Sequence, residues 1–443
     1  MKVLKFGGTS VGSAERIKNV AALISPRGRN IVVLSAMSGT TNTLVEIADY
    51  LRRGNIDGAK ETINNLERKY AKVIKDLFNG HDEGKNATAK VSEVFSLIRS
   101  FTNTSFTKAE KIILAQGEII STNLMYYYLR SIGVSVFLAD ALDFMRINEN
   151  DEPEINYIRD RLSPILNKHS GVDIILTQGY ICRNSKGGID NLQRGGSDLT
   201  ASLIGAAVNA EEIEIWTDID GMHNNDPRFV EHTKPVSHLD FEEAAELAYF
   251  GAKILHPACV LPAKLHNIPV RLLNTMQPDA PGTLIDNNYA TSSNTIKAVA
   301  AKDGIIANRI KSGTKLLSYG FLHKVFETFE DYKTPIDMIA TSEVGVSITI
   351  DSEENLASIV DDLKEFATVT VDKDMVILCV VGEFEWTNLG LESMVIDALK
   401  DIPVRMISYG GSENNISFLI RKEDKVSALN ALSNKLFINN QND

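Results

Sequence analysis

Hydrophobic and polar residues alternate with two different periods along the first part of the chain. Residues 2–6 follow the two-residue period of a strand, and after Ser13 the apolar residues Ile17, Val20 and Ile24 recur at helical spacing. Further strands are predicted at 30–36, 134–139, 172–179, 212–218 and 268–274. Helices are predicted at 41–53, over most of 58–130, and from Asp198, Asp240 and His256. This alternation predicts a largely parallel sheet covered by helices on both faces, with ligands at the carboxyl ends of its strands.

The pattern changes after a polar stretch at 286–295, which we interpret as a linker. Residues 336–350 and 404–420 then share a Met-Ile pair, a Ser-Glu pair and alternating apolar positions. Each copy follows an amphipathic helix, near 320–332 and near 390–400. This short internal repeat predicts two small α+β units in the last part of the chain.

A glycine-rich loop at 7–12 joins the first strand to the first helix, whose predicted N-cap is Ser13. Free backbone N–H groups and the positive end of the helix dipole favour an anion at such a loop. The loop glycines match neither GxGxxG nor a P-loop. Lys5 adds a cation, and phosphoryl transfer requires positive charge and hydrogen-bond donors around the transferred group. A tight turn without a ligand is the alternative interpretation.

Two further segments carry candidate binding groups. Arg194, Ser197 and Asp198 surround two more glycines before a predicted helix, which is typical of a second anion loop. We interpret Asp198 either as an ordinary helix cap or as a group that orients Lys5 or bound phosphates. Glu118 follows a glycine in an apolar helix, where glycine costs about 1 kcal/mol relative to alanine. Glu118 is therefore either a solvent-exposed carboxylate or a partner for a substrate ammonium.

One predicted strand runs directly into a loop rich in turn-forming residues. At the carboxyl end of this strand, four residues are placed to hold the ribose and phosphates of a nucleotide: Thr217, Asp218, Asp226 and Arg228. A polar surface loop is the alternative. Lys253 lies farther along the chain and is either another phosphate ligand or an ordinary solvated lysine.

Composition narrows the class of protein. The 443 residues carry 46 Lys and Arg against 58 Asp and Glu, and the net charge of −12 argues against a general nucleic-acid binder. No apolar run approaches the roughly 20 residues of a membrane span. Cys182, Cys259 and Cys379 are far apart, which favours a reduced compartment and no structural zinc. Since the first strand starts at the second residue, we expect no signal peptide and a cytoplasmic location.

Taken together, the quoted segments resemble one family. KFGGTSVG, LSAMSGTTN, GE, RGGSD, WTD with DPR, and FGAKILHP occur in the order seen in aspartate kinases of the amino-acid kinase superfamily. YGFLHKVF and DMIATSEVGVSITID resemble the paired ACT regulatory domains of the lysine-sensitive type. The homoserine dehydrogenase domain of bifunctional relatives is expected to be absent. The resemblance implies an α/β amino-acid kinase fold at 1–290, followed by two α+β, ferredoxin-like ACT domains at 304–372 and at 296–303 plus 373–443.

The resemblance also implies a reaction in which ATP and L-aspartate give 4-phospho-L-aspartate and ADP, with Mg2+ on the nucleotide. This reaction is the first step of lysine, threonine and methionine biosynthesis. The implied residues are Lys5, Gly7, Gly8 and Asp198 for catalysis; Thr41, Glu118, Arg194 and Ser197 for aspartate; and Lys5, Ser35, Thr217, Asp218, His223, Asp226, Arg228 and Lys253 for the nucleotide. No direct Mg2+ ligand is assigned, because phosphates and water often hold this ion.

Two departures from the family pattern affect these expectations. Relatives usually carry tyrosine where this chain has His223, although imidazole can also stack on a base. Lysine-sensitive relatives carry an apolar residue at the position that Lys315 occupies in this chain. A cation at this position would weaken inhibition by a cationic amino acid. The matching positions of the implied effector site are Ser318, Gly320, Phe321, Leu322, Asp337, Thr341, Ser342 and Glu343. We expect L-lysine to bind there, with Asp337 and Glu343 as ammonium partners, and we expect a homodimer or a dimer of dimers formed through the ACT domains.

Three rival functions make different demands on the sequence. A dehydrogenase would require GxGxxG and an acidic residue at the end of the next strand, and neither is present. A non-catalytic amino-acid sensor would keep the ACT pattern but lose the charged residues of the first loops. A kinase for another small acid, such as glutamate or its acetyl derivative, generally lacks this tail arrangement.

Overall fold

The structure is a computed structural model that describes residues 1–25, 28–103, 109–192, 195–251, 255–287, 296–312 and 320–438. The chain divides into two units, Met1–Met222 with Ile254–Asn288, and His223–Lys253 with Tyr289–Asp443. The predicted catalytic domain, 1–290, differs from this division at 223–253, and the predicted domain boundaries stay a prediction.

The first unit is built on a largely parallel sheet. Its strands are β1 (Val3–Phe6), β2 (Asn30–Leu34), β3 (Val136–Leu138), β4 (Ile174–Gln178), β5 (Ile181–Arg183), β6 (Ile189–Asn191), β7 (Ile213–Thr217), β9 (Val270–Asn274) and β10 (Thr283–Ile285). Six strands are parallel in the order β3-β4-β2-β1-β7-β9, and β10 is antiparallel to β9. β5 and β6 form a separate antiparallel pair. Every residue of β1, β2 and β4 is buried, as expected for strands covered on both faces.

Helices pack around this sheet, and several of them are amphipathic. The helices are α1 (Ala14–Ile24), α2 (Thr40–Arg52), α3 (Ile56–Phe78), α4 (Glu83–Ser100), α5 (Ala109–Ser131), α6 (Ile155–Lys168), α7 (Gly196–Val208) and α9 (Pro257–Leu265). The predicted cap of α1 is confirmed, because the side chain of Ser13 accepts a hydrogen bond from the N–H of Arg16 at 3.3 Å. The periodic residues Ile17, Val20 and Ile24 of α1 are buried in the core.

The second unit contains an antiparallel sheet. Its elements are β8 (His238–Leu239), α8 (Phe241–Tyr249), β11 (Ile296–Ser312), α10 (Phe321–Asp331), β12 (Ile339–Ser342), β13 (Gly345–Ile350), α11 (Leu356–Lys364), β14 (Ala367–Gly382), α12 (Leu391–Ala398), β15 (Val404–Tyr409), β16 (Asn415–Arg421) and α13 (Lys425–Ser433). Six strands pair in the order β12-β13-β11-β14-β16-β15.

Two hydrophobic cores divide this sheet between two α+β halves. α10 and α11 contribute Phe321 and Ile359 to one core, and α12 and α13 contribute Val395 and Leu429 to the other. The long strands β11 and β14 run through both halves, with register shifts between Lys302 and Ala307. The predicted change to α+β units is confirmed, and the α/β class of the first unit is confirmed as well.

Two whole-chain expectations concern membranes and cysteines. Within the described ranges, no helix is long and apolar enough to cross a membrane. Cys182, Cys259 and Cys379 are all buried and form no disulfide. Burial is the largest cause that raises the pKa of the Cys182 thiol, to about 12, so this group is an unreactive thiol at neutral pH.

Candidate active site

Lys5 lies near the carboxyl end of β1, where Asp198 holds its ammonium. The Nζ of Lys5 is 2.5 Å from Oδ1 of Asp198, and the two side chains are only 10% and 14% exposed. β1 lies between β2 and β7, with Lys5 in register with Val33 and Ile215. Lysine is rarely buried this deeply unless a carboxylate offsets the loss of hydration. The structure thus brings together two of the residues predicted to be catalytic.

The first loop leaves one side of this ammonium open. A Cβ atom at Gly7 would lie 3.6 Å from Nζ of Lys5, so a side chain at this position would fill the space beside the cation. The N–H of Gly7 donates to the carbonyl of Trp216 at 3.1 Å, and the N–H of Ser10 donates to the carbonyl of Gly7 at 3.0 Å. These hydrogen bonds fix the loop backbone, and at Gly7 no side chain occupies the position beside Lys5.

Gly8 joins the loops that follow β1 and β2. A Cβ atom there would lie 2.6 Å from the carbonyl oxygen of Ala36, and the carbonyl of Gly8 accepts a hydrogen bond from the N–H of Ser38 at 3.0 Å. Ser35, predicted to line the nucleotide site, is the first residue after β2 and is half-buried. Its N–H donates to the carbonyl of Phe6 at 3.2 Å, which places it at the same edge of the sheet as the glycine loop.

Glu118 is buried in the middle of α5, so the solvent-exposed interpretation is wrong. The residue is 3% exposed, and its Oε1 accepts a hydrogen bond from the N–H of Ala36 at 3.1 Å. Its Oε2 is buried and has no hydrogen-bond partner among the described residues. Burial raises the pKa of Glu118 to about 8, although the hydrogen bond from Ala36 acts to lower it. This carboxyl has one unused oxygen beside the loop that follows β2.

Gly117 explains how α5 approaches that loop so closely. A Cβ atom at Gly117 would lie 2.8 Å from the Cβ of Ala36 and 3.3 Å from Cδ1 of Leu44. The glycine therefore allows side chains of the protein itself to approach the backbone of this helix closely. As a consequence, Glu118 is held against the backbone of Ala36.

Sequence reasoning missed a second buried polar contact beside this site. The hydroxyl groups of Thr40 and Tyr70 lie 2.8 Å apart, and both residues are buried. Burial is the largest cause that raises the pKa of Tyr70, and the nearby charge of Glu118 adds to it. Thr41, predicted to bind aspartate, is the half-buried neighbour of Thr40 in the first turn of α2. The LSAMSGTTN motif was the only sequence signal for this turn. The contact with Tyr70 gave no local signal, because Tyr70 lies thirty residues away on α3.

The start of α7 positions Asp198 and Ser197. The N-cap of α7 is Gly195 at φ +74°, without a side-chain cap, so the interpretation of Asp198 as a helix cap is wrong. A Cβ atom at Gly195 would clash with the side chain of His256. Ser197 is half-buried, and a Cβ atom at Gly179 would lie 2.6 Å from its Oγ. These close glycine contacts fix the first turn of the helix, from which Asp198 reaches Lys5.

Thr217 and Asp218 lie where β7 ends. The Thr217 hydroxyl donates to Oδ1 of Asp218 at 3.1 Å, and the Thr217 carbonyl accepts a hydrogen bond from the N–H of Thr275 at 2.8 Å. Sequence reasoning missed Thr275. Its position just after β9 could have indicated it, because Thr275, like Thr217 and Asp218, is a polar residue at the carboxyl end of a strand. Its hydroxyl lies 2.7 Å from that of Ser10, so the ends of β7 and β9 are tied to the glycine loop.

The other predicted nucleotide residues belong to the second unit. The guanidinium of Arg228 donates to both oxygens of Asp226, with Nη2 at 2.6 Å, and the Arg228 side chain is 66% exposed. Burial acts to raise the pKa of Asp226, but the hydrogen bonds from Arg228 outweigh it and lower this pKa.

Nδ1 of His223 lies 2.9 Å from the hydroxyl of Thr233. A hydrogen bond at 3.1 Å from the amide of Asn225 to the carbonyl of Leu429 holds this segment against α13.

The predicted effector residues lie on α10 and β12. Gly320 is the N-cap of α10 at φ +90°, Phe321 is buried in the core, and Leu322 packs against that core. Thr341, Ser342 and Glu343 are exposed at the end of β12.

Asp337 differs from these exposed residues because it is buried in a charged cluster. Its Oδ1 accepts hydrogen bonds from Nζ of Lys302 at 2.6 Å and from the hydroxyl of Tyr249 at 2.7 Å. The Lys302 ammonium lies 2.9 Å from Oδ2 of Asp351. Oδ2 of Asp337 is buried and has no partner among the described residues, and Asp337 lines a cavity of about 310 Å3. Sequence reasoning missed Lys302 and Tyr249, which lie 35 and 88 residues from Asp337.

Some predicted residues lie outside the described part of the chain. These are Arg194, Lys253 and Ser318, together with Lys315 of the effector region and most of the predicted linker. In the part that the structure describes, no group of three or more His, Cys, Asp or Glu side chains is arranged to hold a metal ion.

Comparison with known proteins places this geometry in a family. The amino acid kinase family model matches residues 1–274, and an ACT domain model matches residues 378–436. The chain is 32% identical to the lysine-sensitive aspartokinase 3 of Escherichia coli (strain K12), over 98% of this chain and 99% of that relative.

Two crystal structures of E. coli aspartokinase III resemble the whole chain at 31% identity. The complex with aspartate and ADP, in the R-state, has a TM-score of 0.85 and covers 99% of this chain and 100% of that one. The complex with lysine and aspartate, in the T-state, has a TM-score of 0.80 and covers 99% of both chains.

Proposed function

The chain belongs to the amino acid kinase family and, within it, to the aspartokinases, and we propose on this basis that it phosphorylates L-aspartate. ATP donates its γ-phosphoryl group to the side-chain carboxylate, which gives 4-phospho-L-aspartate and ADP. The observation that carries this function is the buried pair of Lys5 and Asp198 beside a fixed glycine loop at the carboxyl end of β1. A relative of the same fold, E. coli aspartokinase III, was crystallised with aspartate and ADP.

The reacting groups require charge stabilisation rather than proton transfer. The attacking oxygen belongs to a carboxylate that is already ionised at neutral pH, so the reaction requires no general base to activate it. The bond from the γ-phosphorus to the oxygen of the leaving ADP breaks as the new bond to the carboxylate oxygen forms. Lys5 would neutralise the charge on the transferred group, and Asp198 would hold the Lys5 ammonium in place. Gly7 and Gly8 would let the phosphoryl group approach the loop backbone.

Glu118 is proposed to bind the α-ammonium of aspartate. Its Oε2 is buried and unused, and an ammonium there would supply both a hydrogen bond and a compensating charge. Thr41 and Arg194 are proposed to bind the carboxylates of the substrate, and Ser197 is proposed as a further substrate contact. Thr41 and Ser197 are both half-buried, each in the first turn of its helix.

ATP is proposed to contact Ser35, Thr217 and Asp218 of the first unit. The proposed nucleotide residues of the remaining chain are His223, Asp226, Arg228 and Lys253. Mg2+ is proposed to arrive with the nucleotide and to be held by phosphate oxygens and water. When bound, this ion neutralises phosphate charge.

Lysine is proposed to inhibit the enzyme through the second unit. The proposed site consists of Ser318, Gly320, Phe321, Leu322, Asp337, Thr341, Ser342 and Glu343. The buried and unused Oδ2 of Asp337 supports an ammonium partner at this position. A homodimer or dimer of dimers, in the cytoplasm, is part of the same proposal, and sedimentation velocity of the purified chain measures its oligomeric state.

The decisive experiment is ATP-dependent formation of aspartyl hydroxamate, in which hydroxylamine traps the acyl phosphate. We expect Lys5→Met to lower kcat by about 100- to 1,000-fold, the usual effect of removing one preorganised charge-stabilising donor. Lys18→Met is the matched control, because Lys18 lies on α1 and donates to the carbonyl of Asp76 at an exposed position. A Lys5→Met enzyme within threefold of wild type, or a folded wild-type chain that forms no hydroxamate, would reject the assignment.

A further inference from the structure

A second cleft lies on the sheet of the second unit, among residues that the proposed reaction does not use. It has a volume of about 850 Å3, which is within the usual range for small-molecule sites. Its lining comes from four strands and from the turn after β16, and consists of Arg309, Val371, Asp372, Lys373, Asp374, Met375, Pro403, Val404, Arg405, Arg421, Lys422 and Glu423. None of these residues belongs to the proposed kinase or lysine sites.

An irregularity in the pairing of β11 and β14 shapes this cleft. The register of the two strands shifts between Lys302 and Ala307, opposite Asp372 and Met375. Asp374 takes a left-handed conformation at φ +55°, which is uncommon for a residue other than glycine. Bulges bend a strand and redirect its side chains, and they are common next to binding sites. The bend therefore produces a concave surface in the middle of the sheet.

The charge of the cleft is opposite to that of the whole chain. Five cationic side chains line it against three carboxylates, which leaves an excess of two positive charges (5 − 3) in a protein of net charge −12. The cationic residues are Arg309, Lys373, Arg405, Arg421 and Lys422, and the acidic ones are Asp372, Asp374 and Glu423. An excess of two matches the charge of a phosphate monoester or of one phosphate of a larger anion.

Several of these cations are only weakly neutralised by the protein. The closest carboxylate to Arg421 is Glu423 at 3.9 Å, and Lys422 has no ion pair among the described residues. Arg405 contacts Asp372 from Nε and Nη2, both at 3.2 Å. Lys373 pairs with Glu353 at 2.8 Å, and that pair is exposed. Exposed pairs of this kind stabilise a fold little, so stability alone does not account for the cluster.

Arg309 provides the most specific signal. Its Nε is buried and has no hydrogen-bond partner in the part of the chain that the structure describes. Because successive side chains of a strand point to opposite faces, Arg309 lies on the face opposite the buried Ile310. A buried guanidinium N–H without an acceptor costs free energy, and an anion in the cleft would supply that acceptor.

We propose that this cleft binds a small phosphorylated metabolite through Arg309, Arg405 and Arg421. The arginine side chains supply forked donors for phosphate oxygens, and Lys422 adds charge at the open end. Met375 and Val404 provide apolar surface for the organic part of the ligand. This binding site is independent of the kinase reaction.

Calorimetric titration of the full chain with inorganic pyrophosphate tests the proposal. We expect Arg309→Gln and Arg421→Gln each to weaken pyrophosphate binding at least tenfold while wild-type hydroxamate formation is kept. Lys364→Gln is the matched control, since it removes the same charge from an exposed residue of the same unit. Lys5→Met should show the opposite result, with turnover lost and binding at the cleft kept, which separates this proposal from the kinase assignment.

Three outcomes would overturn the proposal. The first is equal affinity for pyrophosphate in Arg309→Gln, Arg421→Gln and Lys364→Gln. The second is loss of all pyrophosphate binding in Lys5→Met, which would leave the glycine loop as the phosphate site. The third is a change of oligomeric state in Arg421→Gln without any change in pyrophosphate affinity, which would make the cleft an interface between copies of the chain. Arg421 is 70% exposed at the end of β16, so this variant is expected to fold even if Arg309→Gln does not.

Discussion

Burial decides the protonation state of Glu118 in the ligand-free protein. The carboxyl accepts a hydrogen bond from the N–H of Ala36, and burial raises its pKa to about 8. The group is therefore largely protonated at neutral pH until a cation arrives. An aspartate ammonium would favour the ionised form, so substrate binding below pH 8 should release a proton.

We predict that Glu118 makes the free energy of unfolding fall as the pH rises from about 5 to about 8. Over this range the native protein retains a proton that the unfolded chain, with an ordinary glutamate pKa of 4.5, has lost, so a higher pH favours unfolding. Glu118→Gln removes this contribution and should flatten the pH dependence. Urea unfolding of both proteins at about pH 5.5 and about pH 8 measures the difference.

The matched control for this prediction is Glu93→Gln. Glu93 lies on α4 with 69% of its side chain exposed, and it pairs with Lys90 at an exposed position. This variant should retain the wild-type pH dependence. If Glu118→Gln lost stability with pH as steeply as the wild type, the carboxyl of Glu118 would not be the group that titrates.

At the scale of the element, two neighbouring glycines in the loop after β1 have different roles. We predict that Gly8→Ala lowers the free energy of unfolding by about 1–3 kcal/mol, because its Cβ would lie 2.6 Å from a backbone oxygen that side-chain motion cannot displace. Gly7→Ala meets only ordinary contact distances, so stability should change little. Its methyl group would lie beside the Lys5 ammonium, so turnover should fall. Urea unfolding and the hydroxamate assay, run on both variants, separate the two effects.

Gly171→Ala serves as the control for this pair. A Cβ atom at Gly171 would have no neighbour within 4 Å, so both stability and turnover should match the wild type. Equal stability of Gly7→Ala and Gly8→Ala would show that the loop after β2 yields to the added methyl group.

The same loop shows which features the sequence could predict. The strand, the glycine loop and the Ser13 cap are encoded in consecutive residues, so local periodicity and capping chemistry predicted them. The burial of Glu118 was not readable in this way, because α5 is buried on several sides and its apolar stripe does not mark one inward face.

Contacts between distant residues were also beyond the local pattern. The Lys302–Asp337–Tyr249 cluster joins a strand, the segment before β12 and the end of α8. Each of these residues by itself has the sequence context of a solvated side chain. Arg309 and Arg421 show the same difficulty, since only the pairing of β11, β14 and β16 places them on one cleft.

At the scale of the whole molecule, regulation requires the second unit to respond to an effector. Asp337 is held by Lys302 and Tyr249 through one oxygen, and its other oxygen is unused. Burial acts to lower the pKa of Lys302, but hydrogen bonds to Asp337 and Asp351 outweigh it and raise this pKa. Lys302 therefore remains charged at neutral pH, and an added ammonium would bind next to an existing cation. The two ammonium groups would share the charge of Asp337 and Asp351.

We predict that L-lysine stabilises the folded chain through this carboxylate. A ligand that binds only the native state at one hundred times its Kd adds about 2.7 kcal/mol to the free energy of unfolding. The increase should be seen with L-lysine and be absent with L-norleucine, which has the same carbon chain without the side-chain ammonium. Asp337→Asn changes the basal stability as well, so the quantity to compare is the increase caused by lysine, which the variant should lose. An undiminished increase in Asp337→Asn would place lysine elsewhere on the chain. An equal increase with norleucine would show that the side-chain ammonium is not the group that meets the unused oxygen of Asp337, because norleucine offers only its α-ammonium.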